Sequence, residues 1–427
     1  MGSQRVFRVF VPAFLFLLPN FLGATEKDAL AIDATLLARH LPFGTVLNPI
    51  VSADHAQIVG YTRCGDSAIW TGHYLAAEAF RFRATLDPQA LANARAALAG
   101  LNLLVDITGM DLLSRCVVPT DSPFAAGIIS EESPNGIYKA TLDGRTWYLV
   151  GNTSRDQYCG VFFGLGAAYD LIPDAAFQQN VASLATRLLN RLLKYSWNVV
   201  MPDGSVSTTF ALRPDQELTF LQIGRHVNPQ QFASEYSRQA GSLAPFVPVP
   251  LGVDAADDHS SYFKFNLAFI NLYNLIRLED NASNRTWYER GFSLVRGATD
   301  NHLNPHFNMI DRALHGPNAA RDQETLADLT AWLERPRYDG YVDLHGKVQA
   351  CGSEACHPIP VAERPPSDFL WQLDPFQLSG GGLGIIETAG IDYLLPYWMA
   401  RYFGLIPDPS ALAHVHASGV LHRVGRI

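Results

Sequence analysis

Apolar and polar positions in this chain alternate mainly at helical spacing, and the helices they predict come in pairs of unlike character. Residues 66–83 spell an aromatic, glycine-containing, weakly charged helix, which the Asp87-Pro88 breaker separates from an Ala/Leu helix over 88–106. The pair recurs at 156–171 followed by 174–196, whose second member carries Arg187, Arg191 and Lys194, and again at 259–278 followed by 284–297. A further apolar helix is expected over 391–404. A helix buried on most sides beside one with a single wet face is what concentric layers require. The expected fold is therefore all-α, an α/α toroid, with 66–83, 156–171, 259–278 and 391–404 as inner helices whose first turns face one cavity.

Two segments show strand alternation instead. GIYKATLDGRTWYLV turns at Asp143-Gly144 and WNVVMPDGSVSTTF at Asp203-Gly204, so both predict short β-hairpins rimming the mouth of the barrel. Residues 336–389 are rich in Pro and Gly, poor in periodicity and too long for an inert connector. They are expected to form a lid, with Gly380-Gly381-Gly382 as its mobile hinge. Without a linker, a low-complexity tract or a fixed-period repeat, residues 25–427 are expected to fold as one toroidal domain.

The predicted inner helices share one further trait, an aspartate at the opening: Asp66 in GDSAIWTGHY, Asp156 in SRDQYCGVFF, Asp258 in DDHSSYFKFN and Asp392 in GIDYLLPYWM. An acid in a first turn ordinarily satisfies free backbone N–H groups and complements the helix dipole. Capping alone does not call for Trp70, His73, Arg155, Tyr158, His259, Tyr262 and Asn266 nearby. Asp66, Trp70 and His73 share a helix face, with Tyr74 adjoining, and Ser154 to Tyr158 line up five hydrogen-bonding groups before an apolar run. The segment 336–389 and its exit add Asp368, Trp371, Gln372, Asp374, Glu387 and Asp392, residue types that stack on and hydrogen-bond to saccharides. Asp66, Asp156 and Asp258 are the expected catalytic groups. Trp70, His73, Tyr74, Arg155, Tyr158, His259, Tyr262, Asn266, Asp368, Trp371, Gln372, Glu387 and Asp392 are expected to bind substrate.

Composition narrows the setting. A hydrophobic share of 48% against 17% charged residues describes packed core, and a formal net charge of −9 argues against a nucleic-acid partner. Arg5 and Arg8, the apolar run over 9–18 and the small residues Gly23 and Ala24 predict a signal peptide over 1–24, with Pro12 and Pro19 making the run too short for a membrane span. A secreted or periplasmic location follows, with no membrane partner after cleavage. In that setting the five cysteines predict disulfides Cys64–Cys116 and Cys351–Cys356, leaving Cys159 as a buried, inert thiol. No metal or cofactor is expected: Pro305 spoils the His302/His306 pair, and Cys351, Cys356 and His357 suit a disulfide better than zinc. Phosphate-cradling loops, a nucleophile elbow and a dinucleotide fingerprint are absent from the sequence.

The layered helices, the leader and the acid-aromatic helix openings resemble the six-hairpin glycosidase superfamily over most of residues 50–405. The resemblance implies an α/α toroid with one or two acids at inner-helix ends, and Asp66 in GDSAIW and Asp156 in SRDQY are the positions that fit acid/base roles. The leading expectation is an exported glycoside hydrolase-like enzyme acting on an oligo- or polysaccharide, with Asp156 as acid, Asp66 as its partner and Asp258 in reserve. A polysaccharide lyase or epimerase acting on uronate-containing glycans is the first alternative, served by His73, Tyr74, Arg155, His259 and Asn266. The second is a glycan-binding protein without chemistry.

Overall fold

The computed structural model describes residues 23–408 apart from Asp258, so nearly all of the expected leader and one expected catalytic residue, Asp258, lie outside the described residues. The chain is mainly helical: α1 (Glu26–Arg39), α2 (Ser67–Thr85), α3 (Pro88–Asp106), α4 (Ala125–Glu132), α5 (Arg155–Leu171), α6 (Ala175–Lys194), α7 (Pro214–Val227), α8 (Pro229–Leu243), α9 (Pro248–Ala256), α10 (Phe263–Arg277), α11 (Ala282–Ala298), α12 (Pro305–His315), α13 (Ala319–Trp332) and α14 (Ile391–Tyr402). The expected helix over 259–278 starts late, at Phe263, because Ser261 holds a positive φ of 50° that a helix cannot contain.

Six helices are buried along most of their length: α2, α5, α7, α10, α12 and α14. They form a closed series of neighbours, since α2 packs on α5, α5 on α7, α7 on α10, α10 on α12, α12 on α14 and α14 again on α2. Five of them pack against the helix that follows or nearly follows, α3, α6, α8, α11 or α13, and α1 lies against α14. The partner helices are amphipathic, as α6 illustrates: Phe177, Val181, Leu184, Ala185, Leu188, Leu189 and Leu192 are buried at intervals of three and four. One cluster of buried apolar side chains runs from Ala29 to Ala400.

The closest pair is α2 and α5. A Cβ on Gly72 would stand 2.2 Å from the carbonyl oxygen of Gly160, and one on Gly164 would stand 2.3 Å from that of Gly72. Only residues without a side chain let two helix backbones touch. A Cβ on Gly160 would also strike Ile69, so contacts advance in the same direction along both helices and their N-termini open side by side.

Both expected hairpins are present. Strands 137–142 and 145–150 pair about Asp143-Gly144, both at positive φ, and strands 198–200 and 206–209 pair around Asp203-Gly204. The first hairpin gains a third strand, 116–119, paired with 145–150. Disulfides join Cys64 to Cys116 and Cys351 to Cys356, the two expected pairs. Cys159 is a free, buried thiol.

Residues 336–389 hold short bridges, two-residue strands and the single 3-10 turns Val361–Glu363 and Leu370–Gln372, yet their middle is not a loose flap. Phe369, Leu370 and Trp371 are buried in the main core. The Gly380-Gly381-Gly382 run, expected to be a mobile hinge, is packed: Gly382 donates to the Asp339 carbonyl, and a Cβ there would meet the Asp339 carboxylate. Asp339 is itself fixed by the N–H groups of Ile385 and Ile386, both at 2.9 Å. Among the described residues, no helix is long and apolar enough to cross a membrane.

Candidate active site

The parallel seam of α2 and α5 sets Asp66 and Asp156 at adjoining helix openings. Both line one pocket of about 160 Å³, together with Ile69, Trp70, Phe263 and Gln372. Phe263 begins α10, so the first turns of three buried helices meet there. Larger recesses of about 430 and 570 Å³ elsewhere are lined by charges already paired, Arg321 with Asp300 and Asp311 in one and Arg145 with Asp121 in the other.

Neither acid serves as a helix cap. Asp66 precedes α2 but its side chain makes no capping bond. The N–H of Ala68 instead donates to the Arg115 carbonyl at 3.1 Å, and that of Ile69 to Gln157 Oε1 at 3.0 Å. Gln157 returns its amide Nε2 to Asp66 Oδ1 at 3.1 Å. With the helix N–H groups satisfied by others, the Asp66 carboxylate is left for the pocket. Asp156 sits in the first turn of α5 and, among the described residues, has no hydrogen bond or ion pair, and neither does the Arg155 side chain.

Arg115 ties the two openings together. Its guanidinium donates to the carbonyls of Gly65 and Asn152, at 2.9 and 2.8 Å, and to Ser154 Oγ at 2.8 Å, so one side chain spans the approaches to α2 and α5. It also lies 3.9 Å from Asp66 Oδ1. Asp368 completes a group of three acids at this mouth, held by Asn48 Nδ2 at 2.7 Å and by Arg63 at 3.5 Å. Burial first, then the charges of Asp156 and Asp368, push the Asp66 carboxyl up to about 6 against the lowering influence of Arg115 and Gln157. Burial also raises Asp368.

The structure distributes the other sequence-predicted residues unevenly. Trp70 and Gln372 are pocket walls, although one face of Trp70 is covered by Phe369, stacked at 5.0 Å. His73, Tyr74, Tyr158, Asn266 and Trp371 are fully enclosed. His73 Nδ1 is 2.9 Å from the Ile69 carbonyl, the Tyr74 hydroxyl donates to Asp33 at 2.7 Å, and the Tyr158 hydroxyl receives the Leu113 N–H. Trp371 donates to the Asp392 carbonyl, and the Asp392 carboxylate accepts from Trp332 and from the Leu370 backbone, so this acid is a joint within the core. Glu387 is buried against Arg39 at 2.6 Å, and Tyr262 is buried with its hydroxyl 3.0 Å from His302 Nδ1. His259 faces Glu354 and Asp374 rather than the pocket residues, and these three could hold a metal ion.

Sequence reasoning overlooked Arg115, Gln157 as the bridge between helices, and Phe263 as a wall. It also overlooked Glu217 on the first turn of α7, a buried carboxyl pushed up to about 7 by burial and by Asp215. The SRDQY run already signalled Gln157, whereas Arg115 lies some 40 residues away from the helix it serves. Neither a protein-family model, nor a curated protein, nor a solved structure matches this chain.

Proposed function

We propose that this chain is an α/α toroid and an exported carbohydrate-active enzyme of the glycoside hydrolase type. The closed series of six buried helices, each backed by an amphipathic one, supports the toroid. One observation carries the activity: two carboxyl groups from parallel, adjoining helix openings share a pocket, and neither is spent on a capping bond to its own helix. Asp66, raised to about 6, suits the general acid that protonates the glycosidic oxygen, and Asp156 suits the partner that activates water or attacks the anomeric carbon. These roles reverse the expectation from sequence, because the neighbouring acids and burial act on Asp66. Trp70, Phe263 and Gln372 supply apolar and amide contacts to a sugar. A pocket smaller than the roughly 300–1,000 Å³ of drug-sized ligand sites favours one terminal ring over a long chain.

Of the five residues that would serve the lyase alternative, His73, Tyr74 and Asn266 are enclosed, whereas Arg155 and His259 are not. The test is a panel of aryl glycosides and polysaccharides assayed for new reducing ends and for unsaturated, ultraviolet-absorbing products. On a substrate the parent cleaves, Asp66→Asn and Asp156→Asn are each expected to lose about a hundredfold or more in turnover while remaining folded. Folded variants with near-parental turnover, or an unsaturated product, would overturn the proposal.

A further inference from the structure

A second cluster lies beside the pocket and has no part in the chemistry above. His259 precedes α10, Glu354 lies in the loop closed by Cys351–Cys356, and Asp374 follows Gln372 by two residues. One donor atom from each falls within 4.8 Å of the others. His259 Nδ1 is 2.7 Å from Glu354 Oε2 and 3.8 Å from Asp374 Oδ1.

The backbone builds this arrangement. Ala355 donates to the Phe376 carbonyl at 2.9 Å and Ile359 to that of Pro375 at 2.8 Å, which fixes the two carboxylate-bearing segments side by side. Beneath them Leu344, Ala355, Ile359, Phe376 and Leu378 form a small apolar cluster. The imidazole of His259 is stacked on Phe376, centroids 4.0 Å apart and planes 9° from parallel, so its orientation is set. Asp374 Oδ1 accepts the Phe376 N–H at 2.9 Å. Such outer contacts are what orients the ligands of a metal ion.

Two carboxylates held together in this way repel each other. Neither acid is paired with a Lys or Arg among the described residues; the nearby Arg364 directs its N–H groups at the carbonyls of Ile359 and His302. A dication matches two carboxylates and a neutral imidazole in charge. The nitrogen donor selects first-row transition ions over Ca²⁺ and Mg²⁺, which take oxygen.

We propose that His259, Glu354 and Asp374 bind one Zn²⁺ or Mn²⁺ ion that clamps the 336–389 segment to the start of α10. Because Phe263 and Gln372 are close in sequence to the ligands on either side, the clamp holds two walls of the pocket in register. The inference stands apart from the proposed activity, and its readouts do not use turnover.

The experiment takes the untagged mature chain, stripped with EDTA, and titrates ZnCl₂, MnCl₂ and CaCl₂ separately by calorimetry and thermal unfolding. One equivalent of Zn²⁺ or Mn²⁺ should bind and raise Tm, and the 336–389 segment should become more resistant to proteolysis. His259→Ala and the nearly isosteric Glu354→Gln should each weaken binding at least about tenfold, with the circular dichroism spectrum unchanged. The absence of saturable binding at one equivalent, binding unaltered in folded Glu354→Gln, or a response to Ca²⁺ alone would each overturn the site.

Discussion

Replacing Gly164 by alanine tests the seam that brings the two acids together. The added carbon would lie 2.3 Å from the Gly72 oxygen, more than about 1 Å inside the separation at which such atoms rest. The obstructing atom is backbone, so no side chain can swing aside, and α2 and α5 must move apart. Overpacking of this kind costs about 1–3 kcal/mol, and more where the surroundings cannot yield. Alanine returns up to about 1 kcal/mol of helix propensity; with an unyielding backbone atom placing the cost at the upper end of that range, about 3 kcal/mol, a net loss of about 2 kcal/mol is expected. Reversible urea denaturation measures it. The control is Gly241→Ala on α8, where a Cβ meets nothing within 4 Å, and which should gain up to about 1 kcal/mol. Should Gly164→Ala prove as stable as Gly241→Ala, the two helix backbones are not in contact and the reasoning fails.

Asp66 titrates at about 6 rather than 3.8, so the fold favours its protonated form: that contribution is complete below about pH 4 and lost as pH rises through 6. Asp66→Asn should therefore become more stable relative to the parent between pH 4 and 7 and level off above, and a flat difference in urea midpoints would refute the crowding of Asp66 by its neighbouring acids. The bridges span 52 and 5 residues of sequence; removing Cys64–Cys116 by double Ser substitution should cost about 4 kcal/mol and removing Cys351–Cys356 about 2, so equal denaturation curves for the two variants would contradict the loop-entropy argument. Burial pushes the Cys159 thiol up to about 12, so iodoacetamide should label it only in denaturant, and stoichiometric labelling of the native protein at pH 8 would count against its enclosure.

Periodicity made α2, α3, α5, α6, α10, α11 and α14 legible because each is either apolar all round or apolar on one stripe. It failed for α7, whose buried face carries Asp215, Gln216, Glu217 and Gln222 and so reads as surface. At the site, Asp66, Asp156, Trp70 and Gln372 were visible as chemistry-bearing types at helix openings or in an aperiodic segment. His73, Tyr74, Tyr158 and Asn266 carry the same signal in sequence, but helix rotation turns them inward, and no local pattern reveals rotation within a core buried on all sides. The cluster of His259, Glu354 and Asp374 was hidden for a different reason: its members lie up to 115 positions apart and meet only through tertiary pairing.

The bridge from Cys64 to Cys116 fixes the residue two places before Asp66 to the neighbour of Arg115. An acid and the cation that moderates it are thus delivered by separate stretches of chain whose junction is sealed by oxidation. The alignment of the mouth therefore rests on a covalent tie as well as on helix packing. On the proposed export, that seal belongs to an oxidising compartment, where such a bridge forms and persists.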